Sequence, residues 1–157
     1  MDYHSLVICS LFGVLVRDFH ENMKPWEVRM DVSVMEALKG LDPYSYLIVS
    51  NKPQWLECRS QSVYKGIVEY ASACLSEYTG KRVDAVFSFD GKYGKPSDAM
   101  FKYAMGYYGN MNIRVCADDC LMIAWDNVDE VFAANTGIEC AHVNELLGDH
   151  GENNSDV

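Results

Sequence analysis

Four polar stretches, each placed just after an apolar run, hold the side chains of this chain that are best equipped for chemistry. They are Ser10, Ser50-Asn51, Lys95-Pro96, and the segment from Trp125 to Asp129. A serine hydroxyl attacks an electrophile only with a base within hydrogen-bond reach. Hydroxyl, amide and ammonium donors together suit an anion such as phosphate. Asp129 offers one carboxylate, whereas a hard cation such as Mg²⁺ needs several oxygen ligands. No histidine falls in the four stretches. Of His4, His20 and His142, His20 is the best placed to approach Ser10. Cys9 adjoins Ser10, but neighbouring strand residues point to opposite faces, so it is the poorer nucleophile. Asp118-Asp119 precedes an apolar run and belongs at the other end of the elements as a solvated turn. Cys116 and Cys120 read as core thiols rather than ligands.

The elements that must position these residues follow from hydrophobic patterning. Residues 6–16 form an apolar run with β-branched members, broken by Ser10 and Gly13, and read as a strand covered on both faces that ends in a tight turn. Residues 46–49, 83–89, 120–125 and 138–143 repeat that character. Between them, Ser33 with Glu36 three residues on has capping-box spacing and opens a helix. Apolar residues recur at helical spacing through 54–78, and Thr79-Gly80 ends that helix. Ser97 caps another helix through Met100, Phe101, Ala104 and Tyr107, and residues 127–135 form a short one. Residues 17–32 show no sustained period and read as an excursion, a hairpin-like flap. Residues 148–157 are polar and acidic and read as a disordered tail. Strands alternating with helices over short connections predict a parallel α/β sandwich, one domain over residues 1–147.

Composition narrows the function classes. The chain has 157 residues and a formal net charge of −10. That charge disfavours a nucleic-acid partner, which needs clustered Lys and Arg. No apolar run approaches the roughly 20 residues that span a bilayer, and the first residues lack a basic signal-peptide start. The expectation is a cytoplasmic protein without a membrane partner. Six cysteines without paired CxxC spacing read as reduced, mostly buried thiols. Most of the tyrosines read as half-buried packing, although an exposed cluster around Tyr107-Tyr108 would suit a protein interface.

The order of the four stretches resembles the haloacid dehalogenase (HAD) superfamily of phosphohydrolases. The small-cap branch with histidinol-phosphate phosphatases and polynucleotide 3′-phosphatases fits best, over roughly residues 5–143. In that family a first strand leads into Asp-x-Asp-Gly-Thr, matched here by Ser10, Leu11, Phe12, Gly13 and Val14. A strand ending in Thr or Ser, often followed by Asn, is matched by residues 47–51. A Lys commonly followed by Pro is matched by Lys95-Pro96. Gly-Asp-x-x-x-Asp, then a helix ending in Ala-Gly-Ile, is matched by Ala124, Trp125, Asp129 and Thr136-Gly137-Ile138.

The resemblance implies a HAD-like α/β three-layer sandwich with a central parallel sheet and at most a small flap or cap. Its catalytic positions are degenerate: Ser10 replaces the nucleophile, Phe12 the general acid, and Trp125 a metal-binding aspartate. Ser50, Asn51 and Lys95 retain the family's phosphate-holding residues. No catalytic residue and no cofactor are therefore expected, with Asp129 the residual candidate metal ligand. The expectation is a pseudophosphatase that binds a small phosphorylated ligand, a free phosphate, or a protein partner. Two rival readings remain. One is an active Mg²⁺-dependent phosphohydrolase acting on a small phosphate ester, for which Asp126, one residue along, would take the metal position. The other is a structural subunit whose cleft Phe12 and Trp125 fill.

Overall fold

A computed structural model describes residues 4–151, with side chains through residue 148. Five parallel strands form one sheet in the order β3-β2-β1-β4-β5: β1 Leu6–Cys9, β2 Ser45–Asn51, β3 Arg82–Ser88, β4 Cys120–Ala124 and β5 Glu139–His142. Central β1 pairs Cys9 with Ile48 of β2 on one side and with Ile123 of β4 on the other. The carboxyl ends of three strands thus meet at one rim. This is the expected three-layer α/β architecture.

The helices are α1 Val32–Leu41, α2 Gln61–Thr79, α3 Ala99–Asn110, α4 Asn127–Thr136 and α5 Val143–Gly151. Strand periodicity divides the apolar residues between two cores. Val7, Cys9, Tyr46, Ile48, Leu121 and Ile123 meet Val34, Leu38, Tyr64, Val68 and Leu146 from α1, α2 and α5. The alternate residues Leu6, Ile8, Leu47, Val49 and Met122 meet Met100, Phe101, Ala104 and Phe132 from α3 and α4. Burying both faces explains why the central strands read as unbroken apolar runs.

Local chemistry corrects several sequence expectations. Helix α1 is capped by Asp31, whose carboxylate accepts from Val34 N at 3.0 Å, and not by Ser33. The Asp31 N–H donates to Leu15 O at 2.7 Å, which fixes the chain just ahead of the helix. Helix α2 starts at Gln61 behind a Ser60 cap, seven residues later than its apolar spacing suggested. Leu56 and Cys58 are instead buried beneath the 17–32 segment, where Glu57 N donates to Met23 O at 2.8 Å. That segment is no hairpin. It is an irregular strap with a 3-10 turn at Pro25–Glu27, held down by buried Met23 and Val28. Asp98, not Ser97, occupies the cap position of α3, while Ser97 Oγ accepts from Ala99 N at 3.2 Å.

Helix α5 was missed, and it takes in residues 148–151 of the expected tail. Its buried Val143 and Leu146 were too few to reveal a helical period. The remainder of the tail lies outside the described residues. The thiols are less buried than expected: Cys9, Cys58 and Cys120 are buried, but Cys116 and Cys140 are exposed. Asp118 and Asp119 sit exposed in a 3-10 turn ahead of β4, at the rim away from the cleft. Among the described residues, no helix is long and apolar enough to cross a membrane.

Candidate functional site: a lysine cleft under an aromatic wall

The four polar stretches do converge. Ser10, Ser50, Asn51, Lys95, Trp125 and Asp129 line one cleft of about 210 Å³, together with Phe12, Phe19, Trp55 and Asp126. Its floor is a three-membered chain of polar groups. The Lys95 ammonium donates to Ser10 Oγ at 2.6 Å and to Asp129 Oδ1 at 2.7 Å. Lys95 and Asp129 retain only 6% and 3% side-chain exposure, so the ion pair is shielded from water. The other carboxylate oxygen, Oδ2, accepts from Trp125 N at 2.8 Å. Asp129 N in turn donates to the Asp126 carboxylate at 3.0 Å, which makes Asp126 the cap of α4.

Backbone geometry delivers Lys95 to this position. The Asn51 side chain accepts from Lys95 N and donates to Lys95 O, both at 2.9 Å, clasping the loop to the end of β2. Gly94 permits the close approach, because a Cβ there would stand 2.8 Å from Asn51 Oδ1. The Ser50 hydroxyl pairs with Tyr64 OH of α2 at 2.6 Å. Both expected phosphate-holding residues of β2 are therefore at the cleft with their side chains already engaged by the protein.

Above the floor stands an aromatic wall. Phe19 and Trp55 stack at 4.8 Å between centroids, Phe12 meets Trp55 edge-on at 5.1 Å, and Trp125 meets Phe19 edge-on at 6.1 Å. Trp125 also lies against the backbone of Gly13, at φ +96°, where a Cβ would fall 2.1 Å from its ring. Sequence reasoning marked Phe12 and Trp125 but missed Phe19, Trp55 and the buried anchor Tyr64. Trp55 lies just beyond Asn51 and Phe19 in the aperiodic strap, so neither carried a periodic signal.

The three histidines whose side chains are described, His4, His20 and His142, are occupied elsewhere. His20 bonds Glu21 O and Glu27 in the strap, His142 bonds Trp125 O, and His4 meets Glu139. None lines the cleft. Among the described residues, the group bonded to the Ser10 hydroxyl is Lys95, whose Nζ donates to Ser10 Oγ and to Asp129 and so is not placed as an acceptor for the serine proton. Burial pushes the Cys9 thiol up to about 12. Near neutrality it is a thiol, not a nucleophilic thiolate. Iodoacetamide at pH 8 is accordingly expected to spare Cys9 in the native protein while labelling exposed Cys116 and Cys140, read by peptide mass mapping.

A divalent cation does not fit the residues present. Both Asp129 oxygens are bonded within the protein, Asp126 caps a helix, and Ser10, Phe12 and Trp125 supply no carboxylate. Among the described residues no group of three His, Cys, Asp or Glu side chains could hold a metal. Hard cations need several such oxygens together.

No protein-family model matches the sequence, and no curated protein matches it closely enough to count as a relative. Solved structures do match in fold. The chain superposes on D,D-heptose 1,7-bisphosphate phosphatase from B. bronchiseptica, complexed with magnesium and phosphate, with a TM-score of 0.64 at 17% identity, covering 88% of this chain and 78% of that one. A HAD-like phosphatase from Mesorhizobium loti gives 0.63 at 14% identity over 94% and 84%. The corresponding heptose bisphosphate phosphatase from Burkholderia thailandensis gives 0.54 at 16% identity over 85% and 74%. The chain thus has the haloacid-dehalogenase-like fold.

Proposed function

We propose that this chain is a HAD-like pseudophosphatase: a binding module that holds a small phosphorylated ligand or free phosphate without metal and does not hydrolyse it. The observation that carries the reading is the Lys95 ammonium spanning Ser10 and Asp129 where an aspartyl nucleophile would otherwise stand. Phosphoryl transfer needs a nucleophile, a proton donor and charge neutralisation. At the positions of the first two, serine and phenylalanine leave none in reach. Anion holding asks for less. Two of the three Lys95 N–H donors are taken by Ser10 and Asp129, which leaves the third for a ligand. Because Asp129 neutralises Lys95, the anion is held by hydrogen bonds more than by net charge, and affinity is expected to be modest, about millimolar. The B. bronchiseptica structure, with phosphate and magnesium bound, supports a phosphate ligand for this fold.

Thermal unfolding with phosphate, with Mg²⁺ and with both tests the proposal, alongside hydrolysis of p-nitrophenyl phosphate. Phosphate at ten times its Kd is expected to raise the midpoint by about 2–5 °C without Mg²⁺. Lys95→Met should abolish the shift, and hydrolysis should stay at the buffer rate. Mg²⁺-dependent hydrolysis would establish the active phosphohydrolase instead, and stabilisation that requires Mg²⁺ would mean that a metal site survives, which overturns the metal-independent reading. The absence of any shift would favour the filled cleft of a structural subunit.

A further inference from the structure

The two edges of the sheet are built differently. Edge strand β5 has four residues and carries exposed Glu139. Edge strand β3 has seven, Arg82–Ser88, with the sequence Arg-Val-Asp-Ala-Val-Phe-Ser. It contains none of the usual devices that blunt an edge: no proline, no bulge, no lysine, and its two charges neutralise each other through Arg82–Asp84 at 2.9 Å. Among the described residues, the backbone of Val83–Phe87 makes no hydrogen bond beyond its ladder to β2. Its other row of N–H and C=O groups faces outward along an apolar groove of about 520 Å³. Ala85, Val86, Phe87, Tyr93, Met100 and Tyr103 line it. A second depression continues along the strand past Asp84, Tyr103 and Tyr107. Tyr93, Tyr103 and Tyr107 are among the most exposed large side chains of the chain, at 69%, 71% and 45%.

We propose that this edge is a homodimer interface, in which β3 of a second copy pairs antiparallel with β3 about a two-fold axis at Ala85, giving one continuous sheet. Three observations select a second copy. First, antiparallel self-pairing about Ala85 sets Val83 opposite Phe87 twice, a β-branched and aromatic pair of the favourable kind, and brings no like charges opposite each other, since Asp84 meets Val86 and Arg82 meets Ser88. Second, the net charge of −10 lies elsewhere. Leaving aside Lys95, which is buried in the cleft, the segment 81–114 carries Lys81, Arg82, Lys92, Lys102 and Arg114 against Asp84, Asp90 and Asp98, so two copies can meet here without bringing their acidic surfaces together. Third, the area suffices. Tyrosines bury roughly 150–250 Å² each, so at 69%, 71% and 45% exposure six from two copies can add roughly 550–900 Å². With the backbone strip added, that approaches the roughly 1,200–2,000 Å² of stable interfaces.

Sedimentation velocity from about 1 μM to about 200 μM reads the outcome, because self-association depends on concentration. The expected result is a shift from one to two monomer masses across that range. Adjacent strand residues turn their N–H groups to opposite edges, so one of Ala85→Pro and Val86→Pro removes an outward donor and keeps the β2 ladder. Whichever retains the wild-type unfolding transition should stay monomeric. Should neither fold, Tyr103→Glu decides: it alters an exposed helix residue and is expected to weaken the dimer at least tenfold. A monomer at every concentration overturns the proposal. So does a dimer that Tyr103→Glu leaves intact.

Discussion

Asp129→Asn is expected to destabilise the protein by about 3–5 kcal/mol, since it leaves the Lys95 ammonium buried and without its counter-charge. The measurement is urea unfolding at neutral pH. The size of the effect follows from the shielding of both partners, at 6% and 3% exposure. An exposed pair such as Lys102–Asp98 would be worth roughly 0–1 kcal/mol. Lys95→Met should also destabilise, leaving a buried carboxylate that still accepts from Trp125 N. The double replacement Lys95→Met/Asp129→Leu should recover much of the loss, because exchanging a buried pair for apolar groups of similar size is often near neutral. A double-mutant cycle that proves additive would show that the two side chains do not form the pair described.

Gly13→Ala is expected to be nearly as damaging, at about 2–5 kcal/mol, from two separable causes. The backbone at φ +96° is one that side chains rarely adopt, and the new Cβ would fall 2.1 Å from the Trp125 ring. Trp125→Ala removes the second cause and keeps the first. Introduced on that background, Gly13→Ala should therefore cost only the backbone part, roughly 1–3 kcal/mol. An equal cost on both backgrounds would mean that the indole does not lie over Gly13. The pair matters for function as well, because Trp125 can stand where it does only on a residue without a side chain.

How much of this was legible in the sequence depended on how each residue is held. The sheet was readable because strands buried on both faces must be apolar throughout, as Leu6–Cys9 and Cys120–Ala124 are. The convergence of Ser10, Lys95 and Asp129 was readable because each follows, or shortly follows, a strand in a parallel sheet. The partners of those residues were not. That Lys95 would bridge Ser10 and Asp129, or that Ser50 would be tied to Tyr64, depends on tertiary distances that spacing along the chain does not encode. The aromatic wall was missed for a related reason. Phe19 and Trp55 come from segments whose shape is set by burial of Met23, Val28 and Leu56, not by any repeat. The start of α1 misled because Ser33 and Glu36 offer good capping chemistry, yet Asp31, anchored to Leu15, captures the helix first.

The clasp between Asn51 and Lys95 has a consequence for the history and redesign of the cleft. It joins the Asn51 side chain to main-chain atoms of Lys95 and so makes no use of the side chains at positions 10, 12 and 125. The Lys95 main chain is therefore held at the same point without them, while Ser10 touches only its ammonium end. Chemistry and framework are independently heritable here: the reactive groups can be exchanged while the loops that aim at them stay in register. A designer who placed carboxylates at those positions would begin from an already assembled mould rather than from a blank surface.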